Sequence, residues 1–441
     1  MKMGDLLIKG GRIIDPAQGL DEQADLLIEK GRVKAIGKNL EETGQAVLYA
    51  GGLVVTPGFI DLHVHLRDPG QEWKEDIASG TMAAAAGGVT SVCAMPNTNP
   101  VVDNHTVVEY ILRKAEREGK VNVFPIGAIT KGQKGEELAE IGDMARAGIK
   151  AISDDGKPVA NAEIMRLALQ YAGMFNLPVI SHAEDPNLAA DGVMNLGPVA
   201  TILGLRGIPA AAEEVMVARD LILAEMTGAH LHVAHVSTAG AVNLIRQAKR
   251  RGVRVTAEAT PHHFSLTEAA VRESGYDTNT KVNPPLRSQR DLEAVIEGLQ
   301  DGTIDTIATD HAPHHRDDKE VEYNYAAFGI SGLETLLPLV LTKLVAPGHL
   351  TLAQAVALLT SGPAKVLGLD RGTLSPGSWG DVTVFDPEAV ITVRARDFYS
   401  KGKNTPFDGW QLQGKVVATV VGGEVVYRTR EVDIGGGFSR S

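Results

Sequence analysis

The strongest constraint on the fold of this 441-residue chain is a rhythm running from about residue 57 to residue 365. Short apolar, β-branched runs alternate there with longer amphipathic stretches, the pattern of parallel βα units. The runs end near His65, Met95, Ala128, Ser153, His182, His235, Ala259 and Thr309, and helical patterns such as 213–226 and 239–249 separate most of them. Eight such units predict a (β/α)8 TIM-like barrel, somewhat longer than the ~250 residues typical of that fold. The eight βα loops of such a barrel converge at the C-terminal ends of its strands, so chemistry is expected there.

The flanking text reads differently. Residues 5–14 and 24–33 alternate like strands and are broken by glycines, and the same style returns at 381–385 and 415–427. Two separate half-sheets would each expose an open edge and an apolar face, so they are expected to pack as one composite β-sandwich domain. The expected organisation is 1–56 as its first half, 57–365 as an inserted metal-dependent barrel, and 366–441 as its second half. A formal charge of −12 argues against a nucleic-acid partner, and no apolar stretch reaches the roughly 18 to 20 residues of a membrane span. The start shows no signal-peptide pattern, and the lone Cys93 excludes an internal disulfide. A cytoplasmic protein is expected.

Several strand ends carry ligand-type side chains. His63 and His65 are separated by one residue, so on a strand both imidazoles face the same way and can share one cation. His182 and His235 close two other runs, and Asp310 opens Asp310-His311-Ala312-Pro313-His314-His315 after the eighth. Asp154-Asp155-Gly156 follows the fourth run and can supply a bridging carboxylate. Imidazole and carboxylate without thiolate suit zinc or a similar divalent ion. Four histidines exceed the needs of one catalytic ion, so two ions, roughly 3.5 to 4 Å apart, are expected. His230 and His232, nearer a strand's start, and His262 and His263, past another strand, are expected to be structural. Cys93 reads as a small buried apolar residue. Arg67 follows His65 by two positions and offers a planar fork to a carboxylate, so the expected substrate is anionic. Asn97 and Asn283 each neighbour a proline and are either amide donors to the substrate or turn residues.

The motifs His63-Val64-His65-Leu66-Arg67-Asp68-Pro69-Gly70, Met95-Pro96-Asn97-Thr98, Asp154-Asp155-Gly156 and Asp310-His311-Ala312-Pro313-His314, together with both β segments, resemble the bacterial type I dihydroorotases of the amidohydrolase superfamily. The resemblance spans nearly the whole chain. It implies His63, His65, Asp155, His182, His235 and Asp310 as metal ligands, with Asp155 bridging, and Asp310 as general acid/base. It implies substrate contacts from His65, Arg67, Asn97, Asn283, His314 and the Phe328–Gly329 backbone. It further implies reversible hydrolysis of dihydroorotate to carbamoyl-aspartate in pyrimidine synthesis, two Zn2+ per chain, a homo-oligomer, and an association with aspartate transcarbamoylase. Allantoinase or hydantoinase activity, or a mainly structural role beside the transcarbamoylase, are the rival expectations. Lys150 stands close to where other branches of the superfamily carry a carboxylated lysine, which makes it the competitor of Asp155 for the bridge.

Overall fold

The computed structural model describes residues 4–430 and the backbone of a short strand at Ile434–Gly435. Five strands come first: β1 (Leu6–Asp15), β2 (Leu20–Glu29), β3 (Arg32–Gly37), β4 (Ala46–Tyr49) and β5 (Val54–Pro57). They join β16 (Val382–Thr392), β17 (Gln411–Val421), β18 (Glu424–Arg428) and β19 (Ile434–Gly435) in one sheet, ordered β18-β17-β16-β5-β1-β2-β3 with β4 and β19 branching from β1. The two ends of the chain meet where β5 pairs antiparallel with β16, Val54 opposite Phe385. β1 serves two neighbours on one edge, β4 along Leu6–Lys9 and β5 at Arg12–Ile13. A bulge between Ile8 and Gly11 lets it change partners, and Gly10, at φ 73°, takes the left-handed backbone that the bend requires. The Asp25 carboxylate accepts the Gly10 amide at 2.8 Å and fixes this corner. The folded sheet encloses its own core, which includes Leu6, Ile13, Leu26, Val55, Val384 and Val420.

Between β5 and β16 lie the barrel strands β6 (Phe59–Val64), β7 (Val89–Ala94), β8 (Asn122–Pro125), β9 (Ile152–Ser153), β10 (Val179–Ser181), β13 (Leu231–Val233), β14 (Val255–Ala259) and β15 (Thr306–Ile307). All neighbouring pairs are parallel. Two seams complete the ring, Gly127 opposite Ile152 and Val64 opposite His311, the second reinforced by the His65 amide on the His311 carbonyl at 2.8 Å. The barrel lumen is filled by Ile60, Leu62, Cys93, Ile126, Ile180 and Ala308, so it is a packed core and not a pore. Cys93 is fully buried, as expected for a small apolar residue. One feature has no counterpart in the sequence reading: a small parallel pair, β11 (Met194–Asn195) with β12 (Gly207–Ile208), within the loop after β10. Among the described residues no helix is long and apolar enough to cross a membrane.

Candidate metal centre

The strands deliver their polar residues to one end of the barrel. His63 lies on β6 and His65 just past it, His182 follows β10, His235 follows β13, Asp155 follows β9, and Asp310 follows β15. Asp61, also on β6, accepts the amide of Thr309 at 3.1 Å and its hydroxyl at 2.6 Å, tying the first strand to the turn that presents Asp310. Arg67, His235 and Asp310 all sit at positive φ, 60°, 32° and 48°. Non-glycine residues in this region carry backbone strain that the surroundings must hold in place, a habit of functional sites.

Asp155 is the centre of the cluster. Its Oδ1 lies 3.3 Å from His63 Nε2 and 3.5 Å from both His182 Nδ1 and His235 Nε2, while its Oδ2 lies 3.3 Å from His65 Nε2. Two triads therefore share one carboxylate: His63, His65 and Asp155, and Asp155, His182 and His235, each with ligand atoms within 4.8 Å of one another. Asp310 Oδ1 approaches the first triad, 3.1 Å from His65 Nε2 and 3.5 Å from His63 Nε2. His63 Nε2, Asp155 Oδ1, His182 Nε2 and His235 Nδ1 are buried without hydrogen-bond partners among the described residues. Buried polar atoms are seldom left so, and the unpartnered pair His63 Nε2 and Asp155 Oδ1, with His182 Nδ1 and His235 Nε2 beside the same oxygen, fits a divalent cation.

The electrostatics agree. Burial alone would neutralise Asp155 and Asp310, yet His63, His182 and His235 hold Asp155 well below the usual carboxylate range, and His63 and His65 lower Asp310. Burial likewise opposes protonation of His182, but Asp155 and Glu184 outweigh it and raise the imidazole to about 10. His63 is raised in the same way, against burial, by Asp155, Glu258 and Asp310. This pocket demands positive charge between its two carboxylates.

Behind the cluster stands a residue that sequence reasoning missed. Glu258, on β14 and fully buried, meets His63 Nδ1 at 2.7 Å, His232 Nε2 at 3.1 Å and the His235 amide at 3.3 Å. A glutamate inside the strand-like run 255–259, whose only other polar residue is Thr256, was the available signal, since a strand residue facing a barrel lumen needs a partner there. Asp154 turns the other way, accepting the amides of Ile129 and Thr130 at 2.8 and 3.1 Å. Burial pushes it up to about 6 in spite of these bonds. His263 bonds Thr260 and the Pro284 carbonyl, whereas His262 keeps an unpartnered Nε2; burial holds both rings below their ordinary value.

A cavity of about 280 Å³ opens over the triads, and Arg67, Asn97, Asn283, His314, Phe328 and Gly329 line it together with His65, Asp155, His182, His235 and Asp310. All six sequence-predicted substrate contacts outside the metal set are thus brought to one chamber. The Arg67 guanidinium is buried and donates through Nε to the Pro313 carbonyl at 3.2 Å, with Nη2 3.3 Å from His314 Nε2. Burial lowers it to about 10 against the pull of Asp310 and Asp155, so it stays cationic at neutral pH. Asn97 Oδ1 lies 2.8 Å from His65 Nδ1. Asn283 Nδ2 donates to Glu184 at 3.3 Å and leaves its Oδ1 unpartnered. Lys150 is not in this chamber; it lines another cavity with Arg146, Phe175 and Leu177, its ammonium 5.9 Å from the Phe124 ring centre.

The profile of the dihydro-orotase-like family matches residues 52–241, and that of an amidohydrolase family matches residues 225–427. A dihydroorotase of Geobacter sp. (strain M21) is 59% identical over 425 residues, covering 96% of this chain and 99% of the relative. A dihydroorotase of Pelotomaculum thermopropionicum is 59% identical over 427 residues, covering 97% and 99%. Among solved structures, the L-hydantoinase (dihydropyrimidinase) of Arthrobacter aurescens superposes with a TM-score of 0.87 at 29% identity, covering 98% of this chain and 97% of that one. With relatives this similar over nearly its full length, the chain belongs to the dihydroorotase family, hydrolases of the amidohydrolase superfamily.

Proposed function

We propose that this chain catalyses the reversible hydrolysis of the ring amide of L-dihydroorotate to N-carbamoyl-L-aspartate, a step of pyrimidine (UMP) synthesis. The observation that carries this choice of substrate is the buried, charged Arg67 in the same chamber as the shared-carboxylate cluster. A guanidinium there has its natural partner in a substrate carboxylate, and the neutral rings of hydantoins or allantoin give it none. His63, His65, Asp155, His182, His235 and Asp310 would hold the metal, Asp155 reaching both triads. Bound zinc would supply a Lewis acid and bring the pKa of attacking water toward ~7.

The chain's own groups supply the rest. Arg67 fixes the carboxylate, and Asn97, Asn283, His314 and the Phe328–Gly329 backbone orient the ring over the metal cluster. Asp310 faces that chamber as an ionised carboxylate within hydrogen-bond reach of His65. It takes the proton of the attacking water and returns it to the departing ring nitrogen; in the ring-closing direction the same transfers run backwards. Two zinc ions, a cytoplasmic location, a homo-oligomer and association with aspartate transcarbamoylase belong to the same proposal. For assembly the support is apolar exposure on two neighbouring helices, Met174 at the end of Ala162–Gly173, and Ile222 and Met226 on Ala211–Thr227.

The test is a side-by-side assay of metal-replete protein on dihydroorotate, allantoin and a hydantoin, repeated with Arg67→Lys. Dihydroorotate should be turned over best, and the variant should lose kcat/KM on it far more than on a neutral ring. Equal losses on both would remove the case for an anionic substrate.

A further inference from the structure

Phe328 and Gly329, which line the chamber, end an irregular segment, residues 323–329. Five of its carbonyls are taken by side chains instead of by a sheet or helix, that of Gly329 also by Asn404 Nδ2 at 3.0 Å. Lys281 Nζ donates to the carbonyls of Tyr323 at 2.9 Å and Asn324 at 3.0 Å, and Lys319 Nζ donates to those of Ala327 at 2.7 Å and Gly329 at 3.2 Å. His314 Nε2 reaches the Phe328 carbonyl at 2.9 Å. The Lys281 ammonium also lies 4.6 Å from the centre of the Phe328 ring, and the Lys281 carbonyl accepts the Gly329 amide at 2.9 Å.

Both lysines are almost wholly buried, with 2% and 5% exposure, and among the described residues neither forms an ion pair. Burying an ammonium against carbonyls alone is costly, and apolar side chains of similar length would fill the same space without that penalty. What the two amino groups add is donors of fixed position, Lys281 on two adjacent carbonyls and Lys319 on two carbonyls two residues apart. Gly329, at φ 141°, has room for no Cβ: one would stand 2.7 Å from the Ala312 side chain and carbonyl oxygen. The wall is therefore pressed against the loop that carries His314.

We propose that Lys281 and Lys319 are positioning residues that hold the 323–329 segment in the shape that receives the substrate, and so govern affinity without taking part in the chemistry. The proposal rests on the reading of Phe328 and Gly329 as substrate contacts. Neither ammonium lines the metal cluster, so the metal and Asp310 should be indifferent to their loss.

Lys319→Met and Lys281→Met keep the length of the side chain and remove the donors. In the metal-loaded protein each should raise the KM for dihydroorotate about tenfold or more, with kcat changed less than about threefold and metal content unaltered. Amide hydrogen exchange should accelerate in residues 323–329 and not in the barrel strands. Lys319→Arg, which keeps a cation and its donors, should recover part of the lost affinity. Unchanged exchange in 323–329 overturns the proposal outright. Faster exchange with an unchanged KM also overturns the role in affinity, and places the fault in the assignment of Phe328 and Gly329 to the substrate. A general loss of folding in both Met variants shows that the lysines serve the fold at large, which overturns it as well.

Discussion

His63-Val64-His65 and His230-Leu231-His232 have the same spacing, both touch barrel strands, and all four rings are buried, yet they do different work. The first pair stands at the C-terminal end of β6 and meets Asp155 and Asp310. The second stands at the entry of β13, where His230 Nε2 and His232 Nδ1 converge on the Thr256 hydroxyl at 2.8 and 2.9 Å. Position along the strand, set by which end faces the loops, separates a ligand pair from a structural pair. Glu258 joins the two, with one oxygen on His63 and the other on His232, so the structural pair buttresses the ligand pair.

That contrast can be broken at several points. The largest effect belongs to His63→Ala, which should lose metal and turnover together, whereas His230→Ala should keep its full metal complement by elemental analysis and turnover within about twofold, since only the first pair meets carboxylates suited to a cation. Next comes the bridge. Asp155→Ala should lose at least one ion, and Lys150→Ala should retain its metals and activity without added bicarbonate; carbamate on Lys150 in an intact-mass spectrum would reverse the assignment. Asp310→Asn should lower kcat by about 10² to 10⁴ while most of the metal stays, read by steady-state kinetics beside elemental analysis.

Glu258→Gln tests the buttress itself. Removing the negative charge behind His63 should weaken metal affinity by about 10 to 100-fold in a chelator competition, with the fold retained. The smallest effect concerns His230. Burial first, then the charges of His232 and Arg254, lower it to about 4 from an ordinary 6.5. The folded state thus favours the neutral ring, so this contribution is complete above pH 6.5 and is lost as pH falls toward 4. At its limit it is worth on the order of 3 kcal/mol. A His230→Asn variant should show a shallower fall of Tm across that window than the parent.

The barrel was legible because each strand is an apolar run handing over to a polar loop, and the ligands stand at those handovers, where a single side chain is conspicuous. Glu258 was not, because one acidic residue among 255–259 gives no hint that the adjacent strand brings His232 and the first strand brings His63. The same holds for Lys281 and Lys319: in the text they are ordinary charged residues, and only the path of the 312–330 loop buries them. The terminal hairpins read correctly as strands, but the change of partner within β1 depends on a bend at Gly10 that many glycines in the chain could equally have supplied. Phe328 and Gly329 entered through the resemblance, since neither residue type signals a substrate by itself.

The pairing of β5 with β16 sets an order of events during synthesis. Residues 54–57 leave the ribosome about three hundred residues before their partners at 382–385 exist. At ordinary elongation rates that interval is on the order of tens of seconds. Throughout it the nascent first half-sheet carries an unmatched edge and an uncovered apolar face, the kind of surface that pairs with other chains. The barrel must be largely made before the sheet can be sealed. A chain cut short before Val382 should therefore accumulate as aggregate and not as a free-standing barrel, and chaperone dependence should be concentrated in that interval of translation.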